Sequence, residues 1–172
     1  MTWMAPDVER PEEPRVGDER AMLDGWLDLH RSTLLGKCKG LTGEQLATAS
    51  VPPSNLTLLG LVRHMAEVER SWFRSGFLGQ EIPMLYSSRE QWDADFENVD
   101  AARAEADLDI FRVECDECRR AIAGVPLDRT FVSRKGLETS LRWIYVHMIE
   151  EYARHNGHAD LIRERLDGAR GD

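Results

Sequence analysis

The sequence predicts an all-α fold, a four-helix bundle with a long crossover between its second and third helices. Three observations lead there. Four stretches repeat apolar residues at intervals of three and four, and capping residues, glycine or proline bound them. No segment alternates apolar and polar residues as a convincing strand would. The connection between the second and third stretches runs to about twenty residues, long for a tight turn. Such a length suits bundles whose second and third helices run the same way.

Residues 1–17 carry Pro6, Pro11 and Pro14 among acidic residues, which predicts an extended N-terminal arm with few core contacts, ahead of a helical body over 18–168. Asp18 is a natural cap for a first helix over 20–39, with Met22, Trp26, Leu29 and Thr33 on one face, Leu23, Leu27 and Leu34 widening it, and Gly40 ending it. His30 lies beside that stripe. Pro52 and Pro53 forbid helix in the link that follows. Ser54 or Asn55 then caps a second helix over 56–78, whose apolar arc holds Leu58, Leu61, Val62, Met65, Val68 and Trp72. His64 sits at one border of this arc, and Gly60, one turn earlier, leaves space beside its imidazole. Residues 79–100 form the crossover, with room for a short helix over 90–96. A third helix, 101–123, repeats Leu108, Phe111, Cys115, Cys118 and Ile122, and Gly124 and Pro126 stop it. Thr139 or Ser140 caps a fourth helix, 141–166, that Gly168 ends.

Composition narrows the function. The chain has 172 residues, 42% hydrophobic and 31% charged, which suits one soluble domain. Its net charge of −9 and lack of a basic patch weigh against nucleic acid. No apolar run approaches a membrane span. The opening MTWMAPDVERPEEPR has neither the basic nor the apolar region of a secretory signal, so a cytoplasmic location is expected. Three cysteines argue against a disulfide framework, and Cys115-x-x-Cys118, in mid-helix on an apolar stripe, reads as core packing.

The fourth helix carries the chemistry. Ile144, Met148, Ala159 and Ile162 form an apolar stripe, with Glu151 and His155 in its middle and His147 and His158 at its edge. A carboxylate inside a core face needs a partner, either a metal ion or a cation. Glu151 and His155 are four apart, so both reach one ion, and zinc accepts imidazole nitrogen and carboxylate oxygen. A third ligand would come from a facing helix, where His64 is the best candidate. The competing reading is that Glu151 and His155 simply pair with each other or with an arginine. Spacing alone leaves both open.

The segments SNLTLLGLVRHMAEVERSWF and LRWIYVHMIEEYARHNGHADLIRE resemble the two signature segments of the DinB superfamily, and more narrowly an actinobacterial subgroup grouped with mycothiol-dependent enzymes. The resemblance spans the first helix to the fourth and leaves out the acidic arm. It implies a DinB-type bundle whose divalent metal is held by one histidine of the second helix and two residues four apart on the fourth. Many members have histidine at both of those two positions. Glu151 departs from that and resembles the His, Glu, His zinc site of mycothiol-dependent maleylpyruvate isomerase. The carry-over falls on His64, Glu151 and His155. It implies a zinc-dependent enzyme conjugating mycothiol to an electrophilic small molecule, or a related isomerase, and a homodimer.

Two other functions stay open on the sequence. One is a hydrolase using zinc-bound water, with Glu67 or His158 as general base. The other is a non-enzymatic metal-binding stress protein. His147, Arg142 and Arg154 are candidates for gripping the thiol.

Overall fold

Asp18 opens α1 (Glu19–Cys38) by accepting the Ala21 amide at 2.8 Å. A four-residue α2 (Gly43–Leu46) follows, started by a reciprocal capping box between Thr42 and Gln45. Helix α3 (Leu58–Glu69) runs on into a π-helical segment, Arg70–Phe77. Residues 78–100 hold only the short α4 (Ala94–Glu97), and a 3-10 turn, Ala101–Arg103, leads into α5 (Ala104–Ile122). Strands β1 (Thr130–Val132) and β2 (Glu138–Ser140) pair antiparallel before α6 (Leu141–Asp167). The Ser140 hydroxyl caps α6, and Gly168 ends it at φ +79°, a left-handed conformation that costs glycine nothing. The structure is a computed structural model and describes residues 2–170.

The described residues are mostly helical. α1 lies along α6, and α3 packs on α5 and α6. The core between them is built from Leu27, Leu34, Leu61, Met65, Phe73, Phe111, Tyr145 and Tyr152, all at most 1% exposed. Such burial contributes roughly 1.5–3 kcal/mol for each large apolar side chain. A buried ion pair lies within this core. The Arg31 guanidinium grips Glu69 with two bonds, 2.7 and 2.6 Å, and the Tyr152 hydroxyl donates to the same carboxylate at 2.8 Å.

Several details depart from the sequence reading. On α1, Leu27, Leu29 and Leu34 of the expected face are buried, but Met22, Trp26 and Thr33 are only half-buried, because the core lies on the Leu27 side of the helix, where Leu35 and Cys38 are buried as well. α3 starts at the Thr57 cap, whose hydroxyl accepts the Gly60 amide, two residues beyond Asn55. Its second half changes hydrogen-bond spacing. The π-helical turn carries both Phe73 and Phe77 into the core, while Trp72 meets α6. Two strands form where none was expected, since three-residue strands are too short to show an alternating pattern. The arm is also more than a tail: Ala5 is buried, and it exchanges backbone hydrogen bonds with Gly40 and Leu41.

Candidate metal centre

His64, Glu151 and His155 come together between α3 and α6, each offering a ligand atom, and those atoms all lie within 4.8 Å of one another. The partners come from the middle of each helix, where packing fixes them. α3 buries Leu58, Leu61, Val62 and Met65 and packs on α6 as well as α5. On α6 the buried face includes Ile144, Tyr145, Met148, Tyr152, His155 and Ala159. Glu151 lies at the edge of that face and not in its centre, with its side chain 18% exposed. Tyr152 takes the central place in the apolar stripe expected for the carboxylate.

Each ring is held by a neighbour. The His64 Nδ1 lies 2.8 Å from Oδ2 of Asp95, a buried carboxylate on α4. Such a bond fixes the tautomer and leaves Nε2 free to act as a ligand. Phe96 stacks on the opposite side of His64, ring centres 4.4 Å apart. The space that Gly60 leaves is filled by this Phe96: a Cβ on Gly60 would stand 3.5 Å from its ring. His155 presents Nε2 to Glu151 Oε2 at 3.5 Å and Nδ1 to His158 Nδ1 at 3.4 Å. Burial, reinforced by the neighbouring His64 and His158, pushes the His155 pKa down to about 4. Its imidazole is therefore neutral at pH 7, the form that carries a free lone pair.

The segment bearing Asp95 and Phe96 is pinned to α3 by two successive turns. The Arg63 guanidinium donates to the Ala94 and Asn98 carbonyls. Glu67 accepts the amides of Leu85, Tyr86 and Ser87, the shortest at 2.8 Å. Glu67, a candidate base on the sequence, is thus committed to holding a loop. A cavity of about 640 Å³ lies beside this loop, with His64 and Asp95 in its wall and Ser71, Gln80, Ser87 and Arg89 around it.

The remaining candidates separate. His147 lies next to the trio, its Nε2 3.5 Å from Glu151 Oε1, and its ring meets those of Trp72 and Trp143. Arg154 is exposed, paired with Glu150, and 3.9 Å from Glu151. Arg142 is bonded to Glu19 of α1 at 2.6 Å and does not join the cluster. Asn156, which the sequence reading passed over, donates to the His30 carbonyl at 3.1 Å and ties α6 to α1 directly behind His155. Asp95 and Phe96 were also missed. Both lie where no helical period marks a face, and the one available signal was that a ligating histidine usually has a carboxylate behind it.

Among the described residues, no helix is long and apolar enough to cross a membrane. The family model described as Mycothiol-S-transferase matches residues 22–168. Comparison with curated proteins and with solved structures found no match.

Proposed function

The chain belongs to the mycothiol-S-transferase family, and from that premise we propose that it joins the sulfur of mycothiol to an electrophilic carbon of a small molecule. The observation that carries the reading is the convergence of His64, Glu151 and His155. We read the fold as a DinB-type four-helix bundle formed by α1, α3 with its π-helical extension, α5 and α6. Residues 78–103 are then the long crossover, and residues 1–17 an arm outside the bundle. A homodimer and a cytoplasmic location belong to the same proposal.

The donor set fits a divalent metal, with zinc first by ligand preference. Two imidazoles and one carboxylate meet at one point, His64 has its far nitrogen engaged by Asp95, and His155 is neutral. Zinc with three protein ligands keeps a position open, and it lowers the pKa of a thiol or water placed there. The chain's own residues supply the rest. Asp95 orients His64, and Phe96 and the Tyr152 side of α6 exclude water from one flank. His158 and His147, each near a ligand residue, are placed to exchange protons with a substrate at the edge of the cluster. Glu67 is engaged by three amides, which disfavours the hydrolase reading that would use it as base.

Two measurements on one preparation test the proposal: elemental analysis, and thiol consumption with monochlorobimane. We expect about one zinc per chain and mycothiol-dependent bimane conjugation, lost in His64→Ala and His155→Ala. Unchanged rates in both variants would overturn the mechanism. Ester or amide turnover with no added thiol would replace it by hydrolysis.

A further inference from the structure

A second cavity of about 470 Å³ lies on the other side of Ser71 and Arg134, which border both spaces. Its character is different. Trp72, Trp143, Phe131, Leu137 and His147 line it, and its apolar lining outweighs its polar lining, whereas the larger cavity is balanced between the two. Trp72 and Phe131 pack against the core from one side, and the outer part of the wall is open. Trp143 is 47% and Leu137 62% exposed. Trp143 stacks on His147 at a 20° interplanar angle, and Trp72 meets both rings, with centres 5.3 and 4.8 Å away. An open aromatic wall of this kind loses free energy to water unless a flat apolar partner covers it. It also leads inward. His147, in the wall of this cavity, has its Nε2 3.5 Å from Glu151, so one side chain separates the cavity from the candidate metal centre. Gly76 lines it too, and a Cβ there would collide with the Ser71 carbonyl at 2.7 Å.

We infer that the two cavities divide the two substrates: the aromatic cavity seats an electrophile with a flat apolar ring, and the polar cavity beside His64 seats the sugar body of the thiol. This deepens the proposed function and rests on it. Thiol and electrophile approach the cluster from opposite sides of Ser71. With monochlorobimane, the sulfur bonds to the chloromethyl carbon, the C–Cl bond breaks with its electron pair on chloride, and the thiol proton passes to solvent.

The test compares two electrophiles and one inert ring. Trp143→Ala should lower the ratio of kcat/KM for monochlorobimane to that for iodoacetamide, which has no ring, by about tenfold. Leu161→Ala, exposed elsewhere on α6, should leave the ratio unchanged. In the wild type, a bimane lacking the leaving group should quench tryptophan fluorescence saturably, and Trp143→Ala should abolish that saturation. An unchanged ratio with unchanged quenching overturns the inference and leaves the proposed function standing. Equal loss for both electrophiles overturns it too, since the residue then supports the whole site. If Trp143→Ala turns a dimer into a monomer in light scattering without moving the ratio, the wall is an interface between copies and the inference fails. Saturable quenching without any thiol transfer keeps the aromatic seat and removes the proposed reaction.

Discussion

Asp95 is the residue on which the geometry of His64 depends. Its carboxylate is buried and lies 2.8 Å from Nδ1 of the ring. Asp95→Ala should lower zinc affinity about 10- to 100-fold, read by competition with a chromophoric chelator, with the helical circular dichroism unchanged. Asp107 is a residue of the opposite kind. It is fully buried, Oδ2 has no partner among the described residues, and Oδ1 accepts the Tyr86 hydroxyl at 3.3 Å. Burial outweighs the nearby Arg63 and Arg103 and raises its pKa above the ordinary 3.8. The folded state therefore holds this proton more tightly than the unfolded state does. Its contribution to stability declines as pH rises from about 3.8 through the raised folded value. Asp107→Asn should remove that decline, so urea denaturation should show the variant gaining on the wild type as pH rises from 4 to 7. Sequence alone picked out His64, Glu151 and His155, because helical spacing reports which side chains share a face. Asp95 and Asp107 were beyond it: their burial depends on which segment folds over them, and no period encodes that.

At the scale of the elements, the Arg31–Glu69 pair joins α1 to the end of α3, where α-helical spacing gives way to π. Glu69→Leu takes away two of the three bonds to the buried Arg31 guanidinium, leaving it only Asp28 at 2.8 Å, and should cost about 3–5 kcal/mol in urea denaturation. Adding Arg31→Met should recover most of that loss, because two apolar residues of similar volume fill the space without a charge. The crossover segment answers to a different anchor. Glu67→Ala removes the acceptor for three amides, so hydrogen exchange at Leu85, Tyr86 and Ser87 should speed up while α3 itself stays protected. The four long helical stretches were legible from caps and apolar repeats, and Asp18, Ser140 and Gly168 mark boundaries that the structure keeps. The π-helical turn was not legible, because Trp72, Phe73 and Phe77 fit an ordinary apolar arc equally well. The β1–β2 pair was missed for a simpler reason, three residues being too few to establish a period of two.

In the whole molecule, the trio links elements distant in sequence: His64 belongs to α3, Glu151 and His155 to α6. A metal held there binds the folded chain and not the unfolded one, so chelation should lower the melting temperature by several degrees. Restored zinc should return it, and His155→Ala should show no such response to chelator. The three cysteines have the last consequence. Cys38, Cys115 and Cys118 are all free and buried at 3% exposure or less. Burial pushes the Cys38 thiol up to about 12 and the other two up as well. In the folded protein Ellman's reagent should therefore react with none of them, and in guanidinium with all three. A catalyst that brings alkylating compounds to a sulfur nucleophile is exposed to them at every turnover. Under the proposed thiol transfer, sulfurs that stay protonated and out of reach would be spared by the electrophiles the protein handles.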